Sequence, residues 1–275
     1  MTTDARNETD QPPGGHVSPP ADHAETAKTV IQRIADLRAW LFLAALILGF
    51  EIWSRVSFGG TFIFNPFNIT SIAIFAVAPL LLATGQTFVI ITGGIDLSMG
   101  FIMGLAAVVA AHVINWATPG MGMPLAVLFG ALVAIGVAMI PGYINGILVS
   151  RLRVPPFIIN LRSHLLKLNT LSGMCAGLAG FLYAARFSAG AAQAGEPLLL
   201  DSVAAVVIGG ASLFGGSGTI LGTVAGAFVI AVIQYGLVFI NVEPFWQFIS
   251  VGVVIIISVL IDQAQRRISG GRQSE

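Results

Sequence analysis

The chain has 275 residues, of which 56% are hydrophobic and only 9% charged, and its 13 basic and 13 acidic side chains leave no formal net charge. Ordinary soluble domains carry about 25% charged residues, so the composition indicates an all-α, polytopic membrane protein. The balanced charge argues against a nucleic-acid partner. The sequence lacks a G-x-x-x-x-G-K-[ST] run, which argues against ATP hydrolysis by this chain. The scattered His and Cys residues indicate neither a metal site nor another cofactor.

The sequence predicts two tails and a membrane domain. Residues 1–30 are polar and rich in Pro and Gly pairs, which predicts a disordered cytoplasmic tail because such a segment cannot bury a core. Residues 31–262 are predicted as the membrane domain, with halves at 37–161 and 168–262, and residues 263–275 as a cytoplasmic tail. We expect about seven full spans plus one short broken or re-entrant helix.

The first half contains four predicted spans, at residues 37–53, 69–92, 97–116 and 125–149. Asn68 is expected to cap the second span, and Pro119–Pro124 is expected to form the turn after the third. Pro141-Gly142 and Asn145-Gly146 are expected to interrupt the fourth. The side chain of Asn145 can bond either a neighbouring helix or a local carbonyl, and we favour helix packing.

The segment between the second and third spans combines a helix break with a carboxylate. Gly93 and Gly94 are adjacent and break a helix, while Asp96 and Ser98 follow. A carboxylate within a span costs about 2.5–3.5 kcal/mol on insertion scales, and irregular backbone at membrane depth is tolerated only where it is buried in protein or lines a wet cavity. These four residues are therefore predicted to line a substrate pathway, although Asp96 or Ser98 could equally act as an N-cap of the next helix.

Charge predicts the orientation of the second half. Arg151–Lys167 contains four basic residues and no acid, so the positive-inside rule places it in the cytoplasm. A span at Leu168–Ala189 follows, and the acidic, base-free stretch Ala191–Asp201 fits the outer face. Ser202–Gly215 is too short for a full span and is read as a half-helix. Further spans are predicted at 219–240 and 245–261, with arginines beyond, so both termini are expected in the cytoplasm.

Glycines in the second half form two patterns. AAVVIGGASLFGG echoes FVIITGGIDLSMG in running from apolar residues into paired glycines, and matched broken helices in two halves often bracket a transport site. The glycines so assigned to the substrate pathway are Gly209, Gly210, Gly215 and Gly216. Small residues spaced by four allow two helices to approach closely, and the residues so assigned to helix packing are Gly218, Gly222 and Gly226.

Three blocks of this sequence resemble permease subunits of ATP-driven importers for monosaccharides of the ribose and xylose type. The blocks are LLATGQTFVIITGGIDLSMG, Asn145-Gly146 with ILVSRLRVPPFI, and LDSVAAVVIGGASLFGGSGTILGT. The resemblance implies a homodimeric or pseudo-dimeric unit in the lipid of the bacterial inner membrane. It also implies two partners, a cytoplasmic ATP-binding cassette subunit and a periplasmic sugar-binding protein.

The sequence departs from that family between its two halves. In family members PPFI is followed by two more spans and a cytoplasmic loop that docks on the ATPase, whereas here Leu161 runs through Arg162-Ser163-His164 directly to Leu168. An importer permease for a monosaccharide or similar small polar solute is the first hypothesis. The alternatives are a transport-incompetent remnant without the docking loop and, least favoured, an ion-coupled carrier.

Overall fold

The structure, a computed structural model, describes residues 21–152, 159–213 and 215–270. These residues form eight helices and no strand. The helices in chain order are α1 (Ala21–Phe58), α2 (Pro66–Ile91), α3 (Met99–Met121), α4 (Met123–Leu152), α5 (Ile159–Phe187), α6 (Gly195–Ile208), α7 (Ile220–Phe239) and α8 (Pro244–Gly270). The all-α class predicted from the composition is confirmed for the described residues.

Six of the described helices are long and apolar enough to cross a membrane. Their spans are Leu37–Phe58, Pro66–Ile91, Met99–Met121, Met123–Arg151, Ser163–Phe187 and Ile220–Phe239. The apolar part of α8 found among the described residues, Phe245–Leu260, is shorter than these and lies within the predicted span at 245–261. Helix α6 has only 14 residues and is the short helix that we expected. The chain is a polytopic helical membrane protein.

Both predicted tails contain helix where the structure describes them. Helix α1 begins at Ala21, inside the segment predicted to be disordered, and α8 continues to Gly270, inside the predicted C-terminal tail. Residues 21–30 contain Ala, Glu and Lys and neither Pro nor Gly, so helix propensity outweighs their polar composition. Residues 1–20 and 271–275 lie outside the described residues.

The α3–α4 connection is tighter than the sequence indicated. Helix α3 runs through Pro119 to Met121 and α4 begins at Met123, so the only residue between them is Gly122, whose φ of 79° favours glycine. The predicted interruption of the fourth span is also absent, since α4 passes Pro141 and Gly146 as a helix. Close packing of this part of α4 on α5 holds the helix together despite weak propensity.

Helices α4 and α5 form an antiparallel pair with small residues between them. A Cβ added to Gly142 would lie 3.0 Å from the Cα of Gly173, and one added to Gly146 would lie 3.0 Å from the Cα of Leu166. Helix α5 begins at Ile159, so residues 161–167, predicted as a connector before the fifth span, belong to that helix. Close approach of the two backbones extends the helix beyond the apolar residues.

The chain re-enters the bundle after α5. It turns at Ser188, whose φ is 51°, and returns along α3, with Gly190 against Val108 and Gly195 against Gly100. Helix α6 therefore begins within the predicted acidic segment, so that residues 195–201 belong to a helix. The assignment of this segment to the outer face stays a prediction. Small side chains on both sides allow this close contact, which composition alone did not indicate.

Among the described residues, 21–35 and those from 36 onward belong to separate compact units, and all packing described here lies within the second. Its core has two clusters of buried hydrophobic side chains. One lies around α7, where α2 and α6 contribute most of the partners, and the other lies between α2, α3 and α5. Helices α2 and α7 are antiparallel and joined near one end by the hydroxyls of Thr87 and Thr223, 2.7 Å apart.

Asn68 joins these two helices at their other end instead of capping α2. The cap is Asn65, whose side-chain oxygen accepts the amide of Phe67 at 3.0 Å. Asn68 is buried; its amide donates to the Phe62 carbonyl at 2.9 Å and its oxygen accepts the hydroxyl of Tyr235 at 2.6 Å. A long-range partner on α7 therefore decides the role of Asn68, and local sequence could not show it.

Candidate functional site

The two glycine-rich breaks predicted from the sequence have the same cap geometry. After α2, the amide of Gly93 bonds the Ile90 carbonyl at 2.8 Å and that of Gly94 bonds the Val89 carbonyl at 3.2 Å. After α6, the amide of Gly210 bonds the Val207 carbonyl at 3.0 Å, and that of Ala211 bonds the Val206 carbonyl at 3.1 Å. Gly93 and Gly210 have φ of 81° and 94°, so both breaks are Schellman caps.

These two breaks contact each other. The amide of Gly216 donates to the carbonyl of Ile91 at 2.9 Å. A Cβ added to Gly215 would lie 2.8 Å from the nitrogen of Gly93. The glycines assigned from sequence to two separate parts of a pathway therefore lie together at one end of the bundle. Gly209 lies on the other side of the same break, against Gly222 of α7.

Asp96, Ser98 and Asn145 form a hydrogen-bonded cluster at the start of α3. One carboxylate oxygen of Asp96 accepts the Ser98 amide at 2.9 Å and the Ser98 hydroxyl at 2.5 Å. The side-chain amide of Asn145, on α4, donates to that hydroxyl at 2.6 Å. Asn145 thus bonds across helices. Ser98 occupies the N-cap position but makes no side-chain cap bond, so Asp96 orders the entry into the helix.

Helix length relates the Asp96 cluster to the ends of the bundle. Asn145 and Ser98 are 23 and 24 residues from the Gly122 turn, which corresponds to about 35 Å of helix against about 30 Å of hydrocarbon. Arg151 lies one to two turns further along α4. The Asp96 cluster is therefore closer to the basic end of α4 than to its middle, and the depth of Asp96 in the membrane stays a prediction.

The glycine face of α7 packs on α6. A Cβ on Gly226 would overlap the carbonyl oxygen of Ala205, and one on Gly222 would overlap that of Gly209. Gly218 lies before α7, which begins at Ile220, and contacts Ala211 and Ile91 instead. The predicted three-residue face is thus a two-residue helical face preceded by a loop glycine.

Sequence reasoning missed Asp201 as an intramembrane acid. It was placed in an outer-face segment, but it lies in the middle of α6 and is only 3% exposed. The side-chain amide nitrogen of Gln234, on α7, donates to its carboxylate at 2.8 Å. The signal was available, because Glu196 and Pro197 are residue types typical of a first helical turn and they set the start of α6 ahead of Asp201.

No group of three His, Cys, Asp or Glu residues within the described ranges could hold a metal ion. The polar clusters found in the bundle are hydrogen-bonded pairs and triads of amide, hydroxyl and carboxylate groups. They are suited to orient helices or to bind a polar solute, and they do not assemble a nucleophile with a base.

A family model described as a branched-chain amino acid transport system permease component matches residues 68–166 and 159–259. The chain is also similar to curated relatives. The fructose import permease protein FrcC of Rhizobium meliloti is 27% identical over 335 residues, covering 88% of this chain and 91% of the relative. The ribose import permease protein RbsC of Escherichia coli K12 is 28% identical over 333 residues, covering 88% of this chain and all of the relative.

A probable ABC transporter permease protein, y4mJ of Sinorhizobium fredii, is 30% identical over 308 residues, covering 81% of this chain and 87% of the relative. These alignments are longer than the 275 residues of the chain, so the relatives contain residues that this chain lacks. No solved structure matches the chain. The family match covers well over half of the chain, and the chain therefore belongs to this family of membrane permease components of transport systems.

Proposed function

We propose that the chain is the transmembrane permease of a binding-protein-dependent ATP-driven importer for a monosaccharide or similar small polar solute. The observation that carries the proposal is the similarity to fructose and ribose import permeases over 88% of the chain. Its partners would be a cytoplasmic ATP-binding cassette subunit, a periplasmic sugar-binding protein and a second copy of itself. It would lie in the inner membrane with both termini in the cytoplasm.

In this proposal the paired breaks form the inner part of the solute pathway. Their contact, from Gly216 to Ile91 and from Gly215 to Gly93, supports the role because it links the ends of α2 and α6, so a relative movement of these two helices would change it. Asp96 and Ser98 would supply polar groups beside the breaks. The pathway residues of this proposal are Gly93, Gly94, Asp96, Ser98, Gly209, Gly210, Gly215 and Gly216.

One observation favours a second candidate, a remnant that inserts but does not transport. The relatives contain residues that this chain lacks, and residues 161–167 belong to α5. Helices α4 and α5 pack directly against each other, which leaves only residues 153–158 to connect them. A partner shifts a conformational equilibrium only through differential contact with its states, so losing the docking loop would disconnect ATP hydrolysis from the bundle.

Reconstituted uptake separates the candidates. The chain would be placed in liposomes with a related ATPase subunit, a related binding protein and labelled ribose, fructose or galactose, with and without ATP. The proposed importer requires accumulation that depends on both ATP and binding protein, and an ATPase subunit with blocked hydrolysis is the control. Insertion without accumulation would support the remnant, whereas uptake driven by a proton gradient alone would contradict both.

A further inference from the structure

A cavity of about 710 Å³ lies between α2, α5, the start of α6 and α7. It lies toward the end of the bundle opposite Asp96, since Arg186 on its wall follows Leu166, which packs on Gly146 beside the Asp96 cluster, by 20 residues along α5. Its walls are mostly apolar, and the polar residues among them are Tyr183, Arg186 and Gln234. Volumes of about 300–1,000 Å³, apolar walls and a few placed polar groups are typical of small-molecule sites.

The side chain of Gln234 is held in one orientation at the cavity wall. Its amide nitrogen donates to Asp201 at 2.8 Å, and a carboxylate can only accept from the amide. The amide oxygen of Gln234 is therefore left as an acceptor for a ligand. Because an acid inside a membrane bundle is costly and usually functional, the 3% exposed Asp201 is best explained as the residue that positions Gln234.

The second polar group of the cavity is a cation. The guanidinium of Arg186 lies 5.2 Å from the ring centre of Phe75 and 4.8 Å from that of Phe187. At these distances the rings attract the guanidinium, and no carboxylate among the described residues forms an ion pair with it. Its N–H groups are available as donors, so the cavity offers a donor beside aromatic rings and an oriented acceptor.

We propose that this cavity binds a hydroxylated solute, a monosaccharide on the proposed function, through Arg186 and Gln234. A sugar hydroxyl both donates and accepts, which matches this pair, and the C–H faces of the ring suit the apolar walls. A lipid tail would fill the walls but would leave the oriented amide of Gln234 without a partner. The inference rests on the proposed function and deepens it, because it adds a solute-binding site at the end of the bundle opposite the paired breaks.

Thiol accessibility tests whether the cavity holds water and solute. Val77 lies on the cavity wall and is 37% exposed. The full chain carrying Val77→Cys with Cys175→Ala would be placed in lipid vesicles and treated with a charged methanethiosulfonate reagent. The controls are Leu132→Cys on the lipid-facing side of α4, which is 62% exposed, and Ser57→Cys outside the cavity. We expect Val77→Cys to react much faster than Leu132→Cys, and equal slow reaction would overturn the proposal.

Ligand protection tests the assignment of Arg186 and Gln234. Ribose, fructose or galactose at high concentration should slow the reaction of Val77→Cys by about threefold, as expected at two-thirds occupancy, without slowing Ser57→Cys. Potassium chloride at equal osmolarity is the control. Arg186→Gln and Gln234→Leu should abolish protection, whereas Asp201→Asn should keep it because an amide oxygen still accepts from Gln234.

The outcomes separate this site from the proposed function. Absent protection, protection that survives both Arg186→Gln and Gln234→Leu, or equal slowing by potassium chloride would overturn the site. Size-exclusion chromatography checks that each variant is folded, and a conserved basal reaction rate of the cysteine confirms that the cavity persists. Protection without ATP-dependent uptake would contradict the proposed function and leave the site standing. ATP-dependent uptake without protection would support the proposed function and contradict the site.

Discussion

The carboxylate of Asp96 organises the entry into α3 through one oxygen. That oxygen accepts both the amide and the hydroxyl of Ser98, while the other is buried without a hydrogen-bond partner among the described residues. An asparagine can reproduce the first function but not the charge. Structural and electrostatic roles of this residue are therefore separable by a single substitution.

We predict that Asp96→Asn folds normally and impairs any transport that the chain performs. Asn and Asp are comparable as acceptors at helix starts, so the thermal melting temperature in detergent should be nearly unchanged, whereas solute uptake should fall. Ser98→Ala is the control, because it removes the hydroxyl bonds to Asp96 and Asn145 and should lower stability. Normal uptake by Asp96→Asn would contradict the electrostatic role and would show that Asp96 serves only to order the start of α3.

At the scale of helices and loops, the paired breaks provide a matched test. Gly215 and Gly216 have nearly equal positive φ, 83° and 85°, but only Gly215 has a close neighbour, since a Cβ on Gly216 would meet nothing within 4 Å. We predict that both alanine variants lose about 1–2 kcal/mol from backbone strain and that Gly215→Ala loses more through its contact with Gly93. Equal melting temperatures in detergent would show that the two breaks are not in contact.

The α6–α7 packing provides the second test at this scale. A side chain at Gly222 would collide with the Gly209 carbonyl, whereas Leu221 on the neighbouring position is 73% exposed. We predict that Gly222→Leu costs about 1–3 kcal/mol by overpacking and that Leu221→Ala is close to neutral. Thermal unfolding followed by size-exclusion chromatography measures both, and a Gly222→Leu protein as stable as the parent would rule out the close contact.

For the molecule as a whole, the distribution of basic residues makes a topological prediction. Arg151 and Lys167 lie near the same end of the bundle, at the end of α4 and near the start of α5, and the positive-inside rule assigns that end to the cytoplasm. We predict that Arg272→Cys on the Cys175→Ala background does not react with an impermeant thiol reagent in intact spheroplasts and reacts after permeabilisation. Ser57→Cys, near the C-terminal end of α1, should react both in intact and in permeabilised spheroplasts. Reaction of Arg272→Cys in intact spheroplasts would overturn the orientation.

Composition and periodic hydrophobicity were sufficient to predict a helical membrane protein, a short helix near residue 202 and helix breaks at both glycine pairs. They also indicated a close-packed face at Gly222 and Gly226. These features depend on local properties, namely apolar length, the conformational freedom of glycine and the size of side chains. They could be inferred from neighbouring residues along the chain.

Tertiary structure alone decided which distant groups meet. The partner of Asn68 is Tyr235, that of Asp201 is Gln234, and the break at Gly93 packs on the break at Gly215. Local sequence carries no signal for these pairs, because a polar side chain in a bundle takes its role from whichever helix lies opposite. Packing on α5 likewise kept α4 helical through its glycines, since packing energy outweighs local propensity.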